Sequence, residues 1–410
     1  MKKSLIFLLP LTAAAAMIAS CIGRVERLSS SDYCIMFYSS GGDSSHTECI
    51  MDYRDAMEMV LPESQVAVTW LIKSHDSTVT TLRSYTQNAE FVTDTAWDGG
   101  TGYDIVSHEN LSEFIKWSAA MFPGRKYVLV TAGHGDAWRP AGDGARASGL
   151  LYDGVTRKSM TPSDLARGIG ESGVDVEVLI ANNCLQGSVE TLAEWDGYVD
   201  YVVFGGSYLP DIGGDYPYFI KLLDRSEDMR SLLYEYVEHC GEFFNGIEFP
   251  FEHMGSSFSA VDMSRFVPLM ESLRGIFDEM GGSLDRLCAT TDSPQVLGRS
   301  YADGYRAAMD ASLQMDLYRR KPGTCDLYDF LYRAVVYTAH PELMTLVGEF
   351  RNQLDEAVIL NVHNYKLDGF KVSFNICTLP EYFEGERLES YRASKFDQAT
   401  GWSGLMTELF

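Results

Sequence analysis

The sequence is short of positive charge. Against 58 Asp and Glu it carries 33 Lys and Arg, a formal net charge of −25 at pH 7. That balance argues against nucleic acid as a partner; it favours solubility and would attract a cationic substrate. There is no Cys-x-x-Cys: eight cysteines are scattered over 410 residues, so neither a zinc ribbon nor a thioredoxin-like motif is present. There is no His-Glu-x-x-His, and Glu238-His239-Cys240 lacks the spacing of that metal motif. Gly41-Gly42-Asp43 follows an apolar run, but no lysine stands at the P-loop position, which speaks against nucleotide binding. No EF-hand loop is present, so calcium stays open as a cofactor without a motif behind it, and the expectation is that none is required. Internal repeats and long low-complexity linkers are absent as well.

What is present at the start is a basic Met1-Lys2-Lys3, an apolar run from Leu5 to Met17 interrupted by Pro10 and Thr12, and Ile18-Ala19-Ser20-Cys21. The run is shorter than the roughly 20 residues that span a bilayer, and the pattern reads as a secretory signal. A cysteine directly after small residues resembles a bacterial lipoprotein signal, which implies lipidation at Cys21. The expectation is a signal peptide over 1–20, a polar tether over 21–32, and a location in the cell envelope, anchored to a bacterial membrane expected to be the outer one. Loss of residues 1–20, with Lys2 and Lys3 and no acidic residue, takes the charge to −27. Export permits disulfides, but a chain of this length buries a core without them, and the six cysteines other than Cys21 and Cys184 are expected to be mostly free.

The middle of the chain alternates. Tyr33 to Tyr38 reads as a buried strand, Met51 to Val60 has helical spacing, and Val66 to Ile72 reads as a second strand. An amphipathic helix through Leu111, Phe114 and Ile115 leads into Tyr127-Val128-Leu129-Val130. Thr161 is placed as an N-cap with Pro162 in the first turn of a helix. Val176 to Ile180 is another strand, Val189 to Trp195 a helix, and Tyr198 to Phe204 a further strand. This order predicts an α/β fold with a mostly parallel sheet covered by helices. Beyond Tyr216 the spacing is mainly helical, with a late strand expected over Gly369 to Ile376. The division expected is a core over 33–216 and a mainly helical region over 217–410 that completes the fold.

Two short motifs carry the chemistry. Thr131-Ala132-Gly133-His134-Gly135 and Ala181-Asn182-Asn183-Cys184-Leu185 each follow a buried strand, and open α/β sheets place ligand chemistry at strand ends. A thiol and an imidazole delivered to one sheet edge make a nucleophile and a proton-transfer partner. The alternative is a buried structural cysteine and an ordinary loop histidine. The glycines around His134 permit a sharp turn and close approach to a substrate, and the amides of Gly135 and Cys184 are candidate donors to an oxyanion.

The stretches Tyr127 to Pro140 and Cys184-Leu185-Gln186-Gly187-Ser188-Val189-Glu190 resemble the clostripain family of cysteine peptidases, which belongs with the caspases, gingipains and legumains. Further likeness lies in Glu109 to Trp117, Asp326 to Leu331 and Tyr391 to Trp402, with a loose match of Gly41-Gly42-Asp43 to an early acidic loop. The resemblance implies a caspase-like sandwich and endopeptidase activity on peptides or proteins, with His134 and Cys184 as a dyad. No third catalytic residue is marked. Related peptidases are often activated by cleavage between the two motifs, and the small-residue stretch Ala141 to Gly149 offers Arg146 as a self-cleavage point.

Substrate choice is the open matter. In relatives that prefer arginine or lysine, an acidic residue two positions before the nucleophile lines the pocket; here that position is Asn182. A neutral amide cannot neutralise a buried cation. Asp136, Asp211 or Asp215 could supply a charge from another loop, or the pocket takes an uncharged residue. Ser207, Tyr208 and Asp211, at the end of the next strand, are candidates for lining the substrate cleft. Two function classes remain: an exported, lipid-anchored cysteine endopeptidase, and a lipoprotein that kept the scaffold, lost turnover and binds peptides or proteins.

Overall fold

The computed structural model describes residues 33–76, 79–84, 91–94, 103–136, 138, 149–211, 213–225, 228–245, 256–291, 293–315, 323–363 and 374–410. Cys21 and Arg146, and with them the expected lipidation and self-cleavage points, lie outside these residues.

The strands are β1 (Tyr33–Ser40), β2 (Ala67–Lys73), β3 (Val79–Ser84), β4 (Phe91–Asp94), β5 (Lys126–Ala132), β6 (Leu150–Asp153), β7 (Lys158–Met160), β8 (Val176–Asn182), β9 (Val199–Phe204), β10 (Ser257–Asp262), β11 (Thr324–Asp326), β12 (Val358–His363) and β13 (Asn375–Cys377). Among the described residues nine strands form one sheet in the order β12-β10-β9-β8-β5-β1-β2-β3-β4. Its five central strands, β9-β8-β5-β1-β2, pair in parallel. Both margins are antiparallel: β3 and β4 on one side, β10 and β12 on the other. The fold is therefore α/β with a parallel centre. The region after residue 216, though mainly helical, also contributes β10 and β12 to this sheet, and β13 starts within the expected late strand.

The central strands are buried on both faces, which is why they read as unbroken apolar runs. Along β1, Tyr33, Ile35 and Phe37 enter one core while Cys34, Met36 and Tyr38 enter the other. β5 divides likewise, with Val128 and Val130 opposite Tyr127 and Leu129. Each fully buried side chain of this kind contributes about 1.5–3 kcal/mol.

Helices cover each face. The helices of the first half are α1 (Ser44–Glu58), α2 (His108–Met121), α3 (Pro162–Ser172), α4 (Val189–Trp195), α5 (Tyr216–Leu223) and α6 (Met229–Asn245). Later come α7 (Phe266–Gly281), α8 (Tyr301–Ala311), α9 (Leu327–Thr338), α10 (Pro341–Ala357), α11 (Gly385–Arg392), α12 (Lys395–Thr400) and α13 (Trp402–Leu409). Ile50, Tyr53 and Met57 of α1 share one core with α5 and α6, while α2, α3, α4 and α7 line the other. Thr161 caps α3 in a reciprocal box with Asp164, and Pro162 occupies its first turn. Glu190 of α4, fully buried, accepts from Tyr391 Oη (2.7 Å) and the Cys377 amide (2.9 Å), tying the end of the chain to the helix after Cys184. Cys34, Cys49, Cys184, Cys240, Cys288 and Cys325 are free thiols.

Candidate active site

The register of the parallel pair β5–β8 places the two motifs. Ala132 lies opposite Asn182, and His134 and Cys184 each follow two residues later, so both emerge at the same edge of the sheet. Glycines make the turn after β5 possible. Gly133 has φ +148°, and a Cβ there would lie 2.6 Å from the Ser40 carbonyl oxygen. A Cβ on Gly135 would lie 2.6 Å from the Cys184 carbonyl oxygen and 2.8 Å from its amide nitrogen, so the two backbones touch here and no larger residue fits. Asn183 locks the pair further: its side chain accepts from Thr131 Oγ1 (2.7 Å) and donates to the Gly133 carbonyl (2.9 Å). Gln186 Nε2 donates to the carbonyls of Cys184 and Asp136.

Cys184 lines a pocket together with His46, Ile50, Tyr53, Ala132, Gly133, Asn182, Leu209, Pro210 and Asp211. Its thiol is half-buried, receives the Leu209 N–H at 3.5 Å and faces the Leu209 carbonyl at 3.9 Å. Burial pushes this thiol up to about 11; the Leu209 amide acts against that, and the charges of Asp211 and Asp136 add to it.

His134 is partly exposed, and its Nε2 lies 2.6 Å from Asp43 Oδ2. Asp43 closes the loop between β1 and α1; its other oxygen caps α1 at the His46 amide (2.9 Å). Burial pushes the Asp43 carboxyl up, but the His46 N–H and then the His134 hydrogen bond and charge hold it below the usual carboxylate range. An ionised carboxylate only accepts, so the Asp43 contact places a proton on His134 Nε2, and whenever the ring is neutral its lone pair is on Nδ1. The His46 ring packs 3.7 Å from that of His134, and burial, followed by the His134 charge, lowers its pKa against the pull of Asp211 and Asp43. In this arrangement the bonds of His134 and of Cys184 go to Asp43 and Leu209 respectively, not to each other.

The other sequence candidates sort by position. Asn182 lines the pocket, with its Oδ1 buried and without a hydrogen-bond partner. The Tyr53 hydroxyl, which faces the Asn182 side chain, donates to the Asp211 carbonyl. Asp211 is on the pocket with a half-exposed carboxylate. Asp215 instead caps α5 and pairs with His239 at 2.9 Å, and Asp136 is buried beside the Gly149 carbonyl, its amide donating there. Ser207 and Tyr208 are not among the pocket-lining residues. Ser207 is buried, its carbonyl accepting from the Leu185 amide and its amide donating to Ser257 Oγ, and the Tyr208 carbonyl accepts from Ser256 Oγ. Asp43, His46 and Tyr53 are the site residues that the sequence did not single out in this role.

The sequence matches the clostripain family model, Peptidase C11, over residues 38–338. The chain belongs to the clostripain family. No curated protein matches it. Among solved structures it is similar to an inactive zymogen C11 protease from Parabacteroides distasonis, with 13% identity and TM-score 0.65. It is also similar to a secreted C11 cysteine protease from Bacteroides thetaiotaomicron in complex with an irreversible peptide inhibitor, with 15% identity and TM-score 0.68. Both matches cover 91% of this chain and 99% of the other, and at such identities they establish the shared fold. This clostripain-family chain thus has the scaffold of a cysteine peptidase. The two side-chain groups with metal-ligand spacing among its described residues, Asp43-His46-His134 and Glu279-His340-Glu342, both include imidazole, whereas calcium takes about six to eight oxygens.

Proposed function

We propose that the protein is a cysteine endopeptidase with Cys184 as nucleophile and His134 as its proton-transfer partner. The observation that carries this reading is the β5–β8 register, which delivers both residues to one rim with the thiol inside a pocket. Asp43 acts on His134, fixing the tautomer whose Nδ1 takes a proton. Cys184 attacks the scissile carbonyl, His134 protonates the leaving amine, and water releases the acyl-enzyme. The amides of Gly135 and Cys184, whose backbones pack against each other, are the proposed oxyanion donors. The raised thiol makes the resting form a protonated one, so substrate engagement or a movement of the His134 loop must precede attack.

The pocket beside Cys184 is proposed to receive the side chain before the scissile bond. The neutral Asn182 and the Tyr53 hydroxyl favour a polar, uncharged side chain over arginine or lysine, with Asp211 as the acidic residue among those lining the pocket. Self-cleavage near Arg146 would cut between two anchored ends: the Asp136 amide bonds the Gly149 carbonyl at 2.9 Å, and Gly135 bridges to Leu150. The N-terminal pattern supports export and anchoring through a lipid on Cys21, with the division into 33–216 and 217–410 describing one folded unit.

A second reading, a peptide- or protein-binding lipoprotein without turnover, draws on the raised thiol and on the separate partners of His134 and Cys184. A peptide library presented to the wild type and to Cys184→Ala decides between them. Cleavage by the wild type alone is expected; equal signal from both proteins would leave binding as the function.

A further inference from the structure

We propose that Asp43, His46 and His134 form a zinc site at the mouth of the pocket, and that a bound zinc ion switches His134 off. One carboxylate and two imidazoles converge there, with a ligand atom from each lying within 4.8 Å of the others. Two nitrogens and one oxygen are a donor set for zinc, which takes three protein ligands and leaves a fourth position open to solvent or substrate. Ligand atoms on a tetrahedral zinc lie roughly 3.3 Å apart. His134 Nε2 lies 2.6 Å from Asp43 Oδ2 and His46 Nδ1 lies 3.8 Å from the other oxygen, Oδ1, so the two imidazoles flank one carboxylate, and a turn of the exposed Asp43 side chain together with a shift of the largely covered His46 ring would bring one oxygen and two nitrogens onto a common ion. The Asp43 and His134 side chains are 52% and 38% exposed, which gives an ion its way in.

The second cluster provides the contrast. Around Glu279, His340 and Glu342, the Arg286 guanidinium already lies 3.8 and 3.6 Å from the two carboxylates and 3.3 Å from His340 Nε2, and so fills the place of a cation. Among the described residues Asp43 has no lysine or arginine partner; its ionisable neighbours are the two imidazoles.

The effect on chemistry follows from the ring. With Asp43 accepting from Nε2–H, the lone pair of His134 is on Nδ1. A metal on Nε2 takes that nitrogen's lone pair and leaves the proton on Nδ1, so the ring can no longer accept one from the thiol. This inhibitory consequence rests on His134 as the dyad base; the binding itself does not.

The test is zinc competition against a chelating dye on the full Cys184→Ala chain, where the nucleophile cannot contribute a ligand. One zinc per chain is expected. Adding His46→Ala, or His46→Gln if the alanine form does not fold, should weaken binding by more than the roughly 10- to 100-fold that loss of a supporting partner costs. Cobalt in place of zinc should show the visible bands of nitrogen and oxygen ligation, lost in the same double variants. Absence of binding at micromolar zinc, or equal binding with and without His46, would overturn the site. In the wild type, zinc should suppress peptide cleavage and EDTA restore it; zinc bound with cleavage unchanged would overturn the switch. A wild type that binds zinc but cleaves nothing would count against the peptidase reading and leave the metal site standing.

Discussion

Oδ2 of Asp43 lies 2.6 Å from Nε2 of His134, while Oδ1 of the same carboxylate caps α1 at the His46 amide. One side chain thus fixes both the entry of a helix and the proton position on an imidazole 91 residues away. Asp43→Asn separates the two roles. Asparagine caps a helix as well as aspartate, so thermal stability should hold. Its amide can present N–H to Nε2 and push the proton to Nδ1. The expected result is a large fall in kcat, up to the roughly 10⁴-fold seen when the carboxylate that orients a catalytic histidine becomes an amide and the tautomer is reversed, with KM nearly unchanged and partial recovery in Asp43→Glu. An unchanged kcat would make Asp43 a helix cap only.

The thiol supplies a pH test. An ordinary cysteine ionises near 8.5, and burial carries Cys184 up to about 11. Because only the thiolate reacts, iodoacetamide labelling of Cys184 in the substrate-free protein should climb about tenfold per pH unit from neutral pH and show no plateau by pH 9. Asp211 adds to the upward shift, so Asp211→Asn should lower the thiol pKa and speed labelling at pH 8. A plateau near neutral pH would mean that an imidazolium stabilises the thiolate in solution, contrary to the bonds of the resting site.

The strands β1, β2, β5, β8 and β9 were legible because each is buried on both faces and therefore apolar throughout. Thr161 and Val189 to Trp195 were legible because capping and helix spacing are local. β3 and β4 escaped: Val79-Thr80-Thr81-Leu82-Arg83-Ser84 and Phe91-Val92-Thr93-Asp94 carry too much polarity to read as buried runs. β10 and β12 were hidden between helices, since nothing local tells a late segment that it will extend a sheet begun at Tyr33, far back in the chain. At the site, the two motifs announced themselves, but Asp43, His46 and Tyr53 did not. They reach the rim because β1 pairs with β5, Ser39 lying opposite Ala132, and that adjacency is tertiary. The acidic residue in the loop after β1 was the one available hint.

Asn182 tests the pocket directly. Its amide sits beside Cys184 with Oδ1 buried and unpartnered. Asn182→Asp replaces a neutral group by a carboxylate of the same shape, and a charged hydrogen bond is worth about 1.5–3 kcal/mol. Cleavage after arginine or lysine should therefore gain roughly 10- to 100-fold in kcat/KM. No gain would show that the specificity pocket is built from other residues.

The final relationship joins the C-terminal segment to the nucleophile. Glu190, on the helix that follows Cys184, is fully buried, with Oε1 held by Tyr391 and the Cys377 amide and Oε2 without a hydrogen-bond partner. Burial pushes its carboxyl up, against the Cys377 and Tyr391 hydrogen bonds. A folded-state pKa above the unfolded one means that the native state holds the proton longer, so ionising Glu190 costs stability as pH rises past the unfolded value. Glu190→Gln removes that cost while keeping an acceptor for both donors, and should be tolerated at neutral pH. Glu190→Ala leaves the Tyr391 hydroxyl and the Cys377 amide without their acceptor and should be much worse. Tyr391→Phe keeps the ring packed against Trp138 and Phe383 and deletes one donor, at a cost of about 1–2 kcal/mol. Thermal unfolding at pH 7 should therefore rank wild type and Glu190→Gln above Tyr391→Phe, and all three above Glu190→Ala. If Glu190→Gln falls as far as Glu190→Ala, the carboxyl is held ionised and the burial argument fails.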